Sequence, residues 1–149
     1  MSDKAARRRA REFALQGVYQ WLLAKNSIAI IEEHLELDEG FAAADRDFFI
    51  TLLRGTIAHA DELRADFAPF IHRTINELSP VEHAVLLLAT YQLRNHLEIP
   101  YRVIINEAIE LTKGYGGTDG HRFVNGVLDR LAAQLRAVEV TARRAQQRS

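Results

Sequence analysis

Four arginines fall within five residues, Arg7, Arg8, Arg9 and Arg11, just ahead of an apolar segment carrying Phe13, Val18, Tyr19 and Trp21. Guanidinium groups donate to phosphate oxygens, and an exposed ring offers a flat face to an unstacked base, so this spacing suits single-stranded RNA. On a helix starting near Lys4, residues Arg8, Arg11, Glu12, Leu15 and Tyr19 lie along neighbouring rows three and four apart. Ala10, Phe13, Ala14, Val18, Trp21 and Leu22 then make the inward stripe. The bland alternative is a solvated charge run with no partner; the interleaved aromatic is what favours RNA.

Charge is distributed unevenly. Lys4 and four arginines against Asp3 give +4 over residues 1–11, and four arginines against Glu139 give +3 over 136–149; a total of -1 leaves -8 on residues 12–135. A basic start, an acidic body and a basic tail point to a polyanion at one end and a different partner at the body.

Other chemistries find less support. The stretch Lys113-Gly-Tyr-Gly-Gly-Thr-Asp-Gly120 would let backbone amides approach an anion, but it follows no strand and matches neither the dinucleotide nor the Walker spacing. An interhelical turn is the simpler reading, and a turn that holds Asp119 out toward RNA is the third. The six histidines do not pair at three- or four-residue spacing, no HExxH occurs, and Cys is absent, so no metal site and no cofactor is expected. No nucleophile elbow is present, and no catalytic residue is assigned. Asn106-Glu107 and Asn125-Gly126 stand among apolar helical residues and read as polar groups that lock helix contacts.

The elements that must position these residues are helices. A first helix is expected over 4–24, a second over 28–37 capped from Asn26 or Ser27, and a long one behind Asp45 with the stripe Phe48, Phe49, Leu52, Leu53, Thr56, Ile57, Ala60 and Leu63. Pro69 predicts a break near residues 64–66 and a separate short helix over 69–76. Ser79-Pro80-Val81-Glu82 is a capping box with Pro at the first helical position, opening an almost wholly apolar helix over 80–96 that belongs at the centre. A helix over 100–113 follows, then one capped by Thr118 or Asp119 and running to about residue 135, packing Phe123 or Val124. Residues 137–149 lack an apolar period and are expected to be a frayed, flexible basic tail behind a single domain over 1–136. No apolar run approaches the ~20 residues of a membrane span, so no membrane contact is expected, and the zero Cys count suits a cytoplasmic protein.

Taken in order, ARRRARE with Tyr19-Gln20-Trp21, Pro80-Val-Glu-His-Ala-Val-Leu, Pro100-Tyr-Arg-Val-Ile-Ile-Asn-Glu-Ala-Ile-Glu-Leu-Thr-Lys and His121-Arg-Phe-Val-Asn-Gly-Val-Leu-Asp-Arg resemble the bacterial transcription antitermination factors of the NusB family. The resemblance implies an all-α fold, an irregular bundle of about seven helices in two packed helical subdomains. It also implies binding to the boxA element of nascent ribosomal RNA leaders together with the ribosomal protein NusE, within an RNA polymerase antitermination complex. At matching positions, the RNA-facing residues would be Arg7, Arg8, Arg9, Arg11, Tyr19, Asp119, Arg122 and Phe123, and Glu82 would face NusE. Some family members self-associate, so a homodimer is compatible with the resemblance. The alternatives are a self-associating helical protein and a detached domain of the kind found at the front of some ribosomal RNA methyltransferases.

Overall fold

The structure, a computed structural model, describes residues 3–117 and 119–148. Eight α-helices make it up: α1 (Asp3–Ala24), α2 (Ile28–Glu36), α3 (Arg46–Ala58), α4 (Ala60–Ile71), α5 (Pro80–Asn95), α6 (Tyr101–Tyr115), α7 (Gly120–Leu135) and α8 (Ala137–Arg148), with short 3-10 turns at Glu39–Ala43 and Ile75–Glu77. No strand occurs among the described residues. The expected bundle of about seven is thus all-α, with one helix more.

The caps follow from side-chain chemistry. Ser27 accepts from the Ile30 amide at 3.3 Å, Asp45 from the Phe48 amide at 3.1 Å and Ser79 from the Glu82 amide at 3.2 Å, each satisfying an amide that has no partner within its helix. Asp119 makes no such bond at the start of α7, and Thr118 lies outside the described residues. The capping role expected of Asp119 is therefore corrected.

Helix α5 is buried on nearly every side, from Ala84 through Thr90 and on to Gln92 and Leu93. It touches α1, α3, α4, α6 and α7, so the helices before and after it share one continuous core. α3 comes close to α5 at Gly55, where an added Cβ would lie 2.2 Å from the Tyr91 ring. Any side chain there would displace the Tyr91 ring.

Two expectations fail. The break between α3 and α4 comes at His59 rather than near residues 64–66, and Pro69 lies inside α4 instead of opening a helix of its own. Proline at that point removes a single amide donor, and the helix ends two residues later where His72 turns left-handed at φ 55°. Asp61 and Glu62 in the first turn of α4 complement its amide end.

The second correction concerns residues 137–148, which form α8 instead of a frayed tail. The anchor is chemical more than apolar. Val140 is the one residue of α8 that is fully buried. Arg136, just before it, donates to the carbonyls of Gln92, Leu93, His96 and Ile99 and to the Glu139 carboxylate. It thereby ties together carbonyls at and just beyond the end of α5, those of Gln92 and His96 accepting from the His96 and Ile99 amides as well. The other Glu139 oxygen accepts from the Tyr101 amide at 2.8 Å, supplying α6 with the N-terminal cap that Pro100 cannot give.

Between α4 and α5, the Arg64 Nε donates to His83 Nε2 at 2.9 Å, and the His83 ring meets Phe67 edge-on. Burial, reinforced by the Arg64 charge, lowers the His83 pKa to about 4. The folded protein thus keeps this ring neutral at a pH where the unfolded chain, titrating near 6.5, takes up a proton. Stability contributed by neutral His83 is complete above about pH 6.5 and is lost as pH falls toward 4. Urea unfolding at pH 6.5 and pH 5 should show this loss in the wild type and a shallower one in His83→Gln, whose amide oxygen can still accept from Arg64.

Candidate nucleic-acid interface

The helical period of α1 divides its arginines among three surroundings. Arg8 is the most exposed, on the same face as Glu12, Gln16 and Tyr19. Its Nε lies 3.2 Å from both oxygens of Glu107, and an Nη lies 3.0 Å from one of them. The Glu107 carboxylate therefore holds the Arg8 pKa above its usual value. Arg7 lies half-buried, its guanidinium 4.4 Å from the centre of the Phe48 ring and 4.0 Å from Asp45. Arg9 points to the opposite side, with an Nη 3.2 Å from where a Cβ would stand on Gly40.

Arg11 is corrected. Only 5% exposed, it donates to Gln92 Oε1 at 3.0 Å, lies 3.5 Å from Glu107 and packs 5.0 Å from the centre of the Phe48 ring. Burial lowers its pKa, partly offset by the Glu107 charge. Leu15, read on the same outer rows, is also in the core. A position along a helix row gives direction only relative to the neighbours, and α6 covers this row through Glu107. Arg11 is the buried strut behind Arg8 and presents no face to a phosphate.

Beyond Arg8, two concavities follow each other along α1. The first, of about 370 Å³, lies among Arg8, Arg11, Glu12, Glu107, Glu110, Leu111, Gly114 and Tyr115. The second, of about 490 Å³ and more apolar, lies among Leu15, Gln16, Tyr19, Gln20, His34, Leu35, Val81 and Tyr115. Tyr115 belongs to both, and its hydroxyl accepts from the Gln16 amide at 3.4 Å. Tyr19 and Tyr115 are 37% and 45% exposed, so one groove carries a guanidinium at one end and two accessible rings along its length. Sequence reading missed Tyr115; the signal was an aromatic between glycines at a helix end, where a large side chain has no helical neighbour to cover it.

At the far end of this groove, α5 and α7 meet. Glu82 Oε2 lies 2.9 Å from where a Cβ would stand on Gly120, so glycine is required for the carboxylate to approach the start of α7. Its side chain thus faces α7, while the α5 cap uses only its backbone amide. Asp119 is exposed beside it. Arg122 is exposed and has no ion pair among the described residues. Phe123 rests partly on the core, with the Arg73 guanidinium 4.0 Å from its ring centre, while Val124 is the residue fully inside. Arg8, Arg11, Tyr19 and Tyr115 thus line the two adjoining concavities, Arg11 with only 5% of its surface exposed; Arg9 lines neither, Tyr115 was unforeseen, and Glu82 and Asp119 lie beside the start of α7. Among the described residues no group of three His, Asp or Glu could hold a metal ion.

This surface lies on a chain whose residues 8–133 match the model of the NusB family. The chain belongs to the NusB family. A transcription antitermination protein NusB from Aromatoleum aromaticum is 69% identical over 144 residues, spanning 97% of this chain and 99% of that relative. Among solved structures, NusB from T. maritima is 32% identical with a TM-score of 0.76, covering 84% of this chain and 89% of that one. The fold also matches a chain in a structure of the antitermination factors NusB and NusE with dsRNA, at 22% identity and a TM-score of 0.70, covering 83% and 93%.

The split between strut and contact can be measured. Arg11→Ala takes the donor from the buried Gln92 Oε1 and one of two guanidiniums from Glu107, and should cost about 1–3 kcal/mol in denaturant unfolding. Arg8→Ala, which removes a half-exposed guanidinium and leaves Glu107 still facing Arg11, should cost less, about 1 kcal/mol.

Proposed function

We propose that the protein is an RNA-binding transcription antitermination factor that takes up the boxA element of nascent ribosomal RNA leaders together with a NusE-type ribosomal protein, so that RNA polymerase reads through terminators. The observation that carries this reading is the groove along α1, with the Arg8 guanidinium at one end and Tyr19 and Tyr115 exposed along it. Cations serve phosphates and rings serve bases splayed out of a single strand. The antitermination function in the names of close relatives and the NusE and RNA present in a structural neighbour support the same reading. Phe123, already faced by Arg73, would contribute an edge or a displaceable stack, and Arg122 would add charge beside it.

The electrostatic part is tested by titrating a boxA RNA at several salt concentrations. With Lys4, Arg7, Arg8 and Arg122 at phosphates, log affinity should fall against log salt with a slope of about -2.8, roughly fiftyfold between about 50 and 200 mM. The double variant Arg7→Ala/Arg8→Ala should flatten that slope by about 1.4 while helical circular dichroism stays unchanged. An unchanged slope removes the arginine run from the interface, and equal affinity for a scrambled RNA removes boxA specificity.

Glu82, in the first turn of α5 beside the start of α7, is the proposed contact for the basic ribosomal protein. Since the carboxylate is not part of the α5 cap, Glu82→Gln should shift stability by no more than about 1 kcal/mol. Glu82→Lys should abolish capture of NusE in calorimetric titration while leaving RNA binding in place. Wild-type NusE affinity in both variants would exclude Glu82 from that contact.

A further inference from the structure

The basic C-terminal segment is not used by the groove, yet the fold goes to some length to hold it. Arg136 and Glu139 anchor its first turn through six hydrogen bonds to α5, α6 and each other, and everything from Thr141 to Arg148 is exposed. That exposed stretch carries Arg143, Arg144 and Arg148 and no acidic residue. None of the three has an ion pair among the described residues. Beside them, Arg102 of α6 lines the same crevices of about 230 and 300 Å³ as Arg143. The two carboxylates present there are already taken, Asp129 by Arg102 at 2.9 Å and Glu139 by Arg136 at 2.7 Å.

The place is also physically joined to the start of α1. The Arg7 guanidinium covers Phe48, the Phe48 ring meets the His96 ring edge-on at 5.6 Å, and the His96 carbonyl accepts from Arg136 at 3.0 Å. Three successive contacts thus connect Arg7 to the foot of α8.

We propose that the exposed face of α8, with Arg102 of α6, is a second RNA-backbone surface that holds the strand flanking the segment bound along α1. This rests on the reading of α1 as an RNA-binding element. Three features favour RNA over other occupants. Apart from Val138 in its first turn, the exposed face of α8 offers no large apolar side chain, where a protein partner would need an anchor and a membrane several for insertion. Arg144 and Arg148 are four apart and so adjacent on one helix row, roughly 5–6 Å between Cβ atoms, a spacing that serves successive phosphates. Guanidinium groups without base-reading partners give contacts that position a strand without reading its sequence, as expected for a flank.

The test uses the full chain, a short boxA RNA, and the same RNA lengthened at both ends with unrelated sequence. Arg143→Ala/Arg144→Ala/Arg148→Ala keeps good helix formers on an exposed helix, and a melting curve checks that the fold is retained. The lengthened RNA should bind the wild type more tightly than the short one. The triple variant should lose about tenfold affinity for the lengthened RNA, with a salt slope shallower by about 2, and bind the short RNA as the wild type does. The corresponding triple Lys variant, which retains charge, should restore the slope. Identical behaviour of wild type and triple Ala variant on the lengthened RNA overturns the proposal, as does a triple Lys variant no better than Ala. Arg7→Ala/Arg8→Ala separates the two readings: if it weakens both RNAs while the triple variant weakens neither, α1 stands as the RNA element and α8 does not. If neither variant weakens either RNA, both fall.

Discussion

A single buried guanidinium makes the arrangement of α1, α5 and α6 possible. Arg11 places a permanent charge inside the bundle, which is tolerable only because Gln92 of α5 and Glu107 of α6 meet it there while the Phe48 ring closes over it. Three helices are thereby fixed in register by polar groups with directional demands, which apolar packing alone would leave free to slide. The same Glu107 reaches out to Arg8, so the interior network continues to the surface and fixes the outer guanidinium at the mouth of the groove. Stability and presentation of the site share one carboxylate.

Arg8 is consequently neither free nor fully committed. Its partner is a buried carboxylate that Arg11 also faces, so a phosphate, with more charge and more acceptor oxygens, can draw Arg8 away while Glu107 keeps a cation beside it. Tyr115 gains its exposure from the opposite circumstance: it lies at a helix end among glycines that cannot shield it. Rigid charge at one end of the groove and accessible rings at the middle are what a flexible strand needs to be both caught and oriented.

Much of this could be read from residue order. Ser27, Asp45 and Ser79 announce their helices because cap chemistry is local, and α5 declares its central place by being apolar all round. What failed was whatever depended on distant neighbours. Arg11 looks like Arg8 in a helical row until α6, about a hundred residues later, is known to cover it. Pro69 looks like a helix breaker, and its tolerance depends on how soon α4 ends. The segment 137–148 looks unstructured because its anchors are Arg136 bonds to backbone carbonyls of α5, and no side-chain pattern encodes a carbonyl. The arginine run, Tyr19, Glu82 and Asp119 were legible as types; which of them share a surface was not.

The bonds of Arg136 to the end of α5 also impose an order in time. Gln92, Leu93 and His96 emerge from the ribosome some forty residues before the guanidinium that satisfies their carbonyls, and Arg8 waits still longer for Glu107, 99 positions away. Domains settle as units during synthesis. A chain extended only through α5 would therefore carry the arginines and Tyr19 of α1 without the frame that aims them, and competence at the groove would arrive only once α6 and Arg136 have followed.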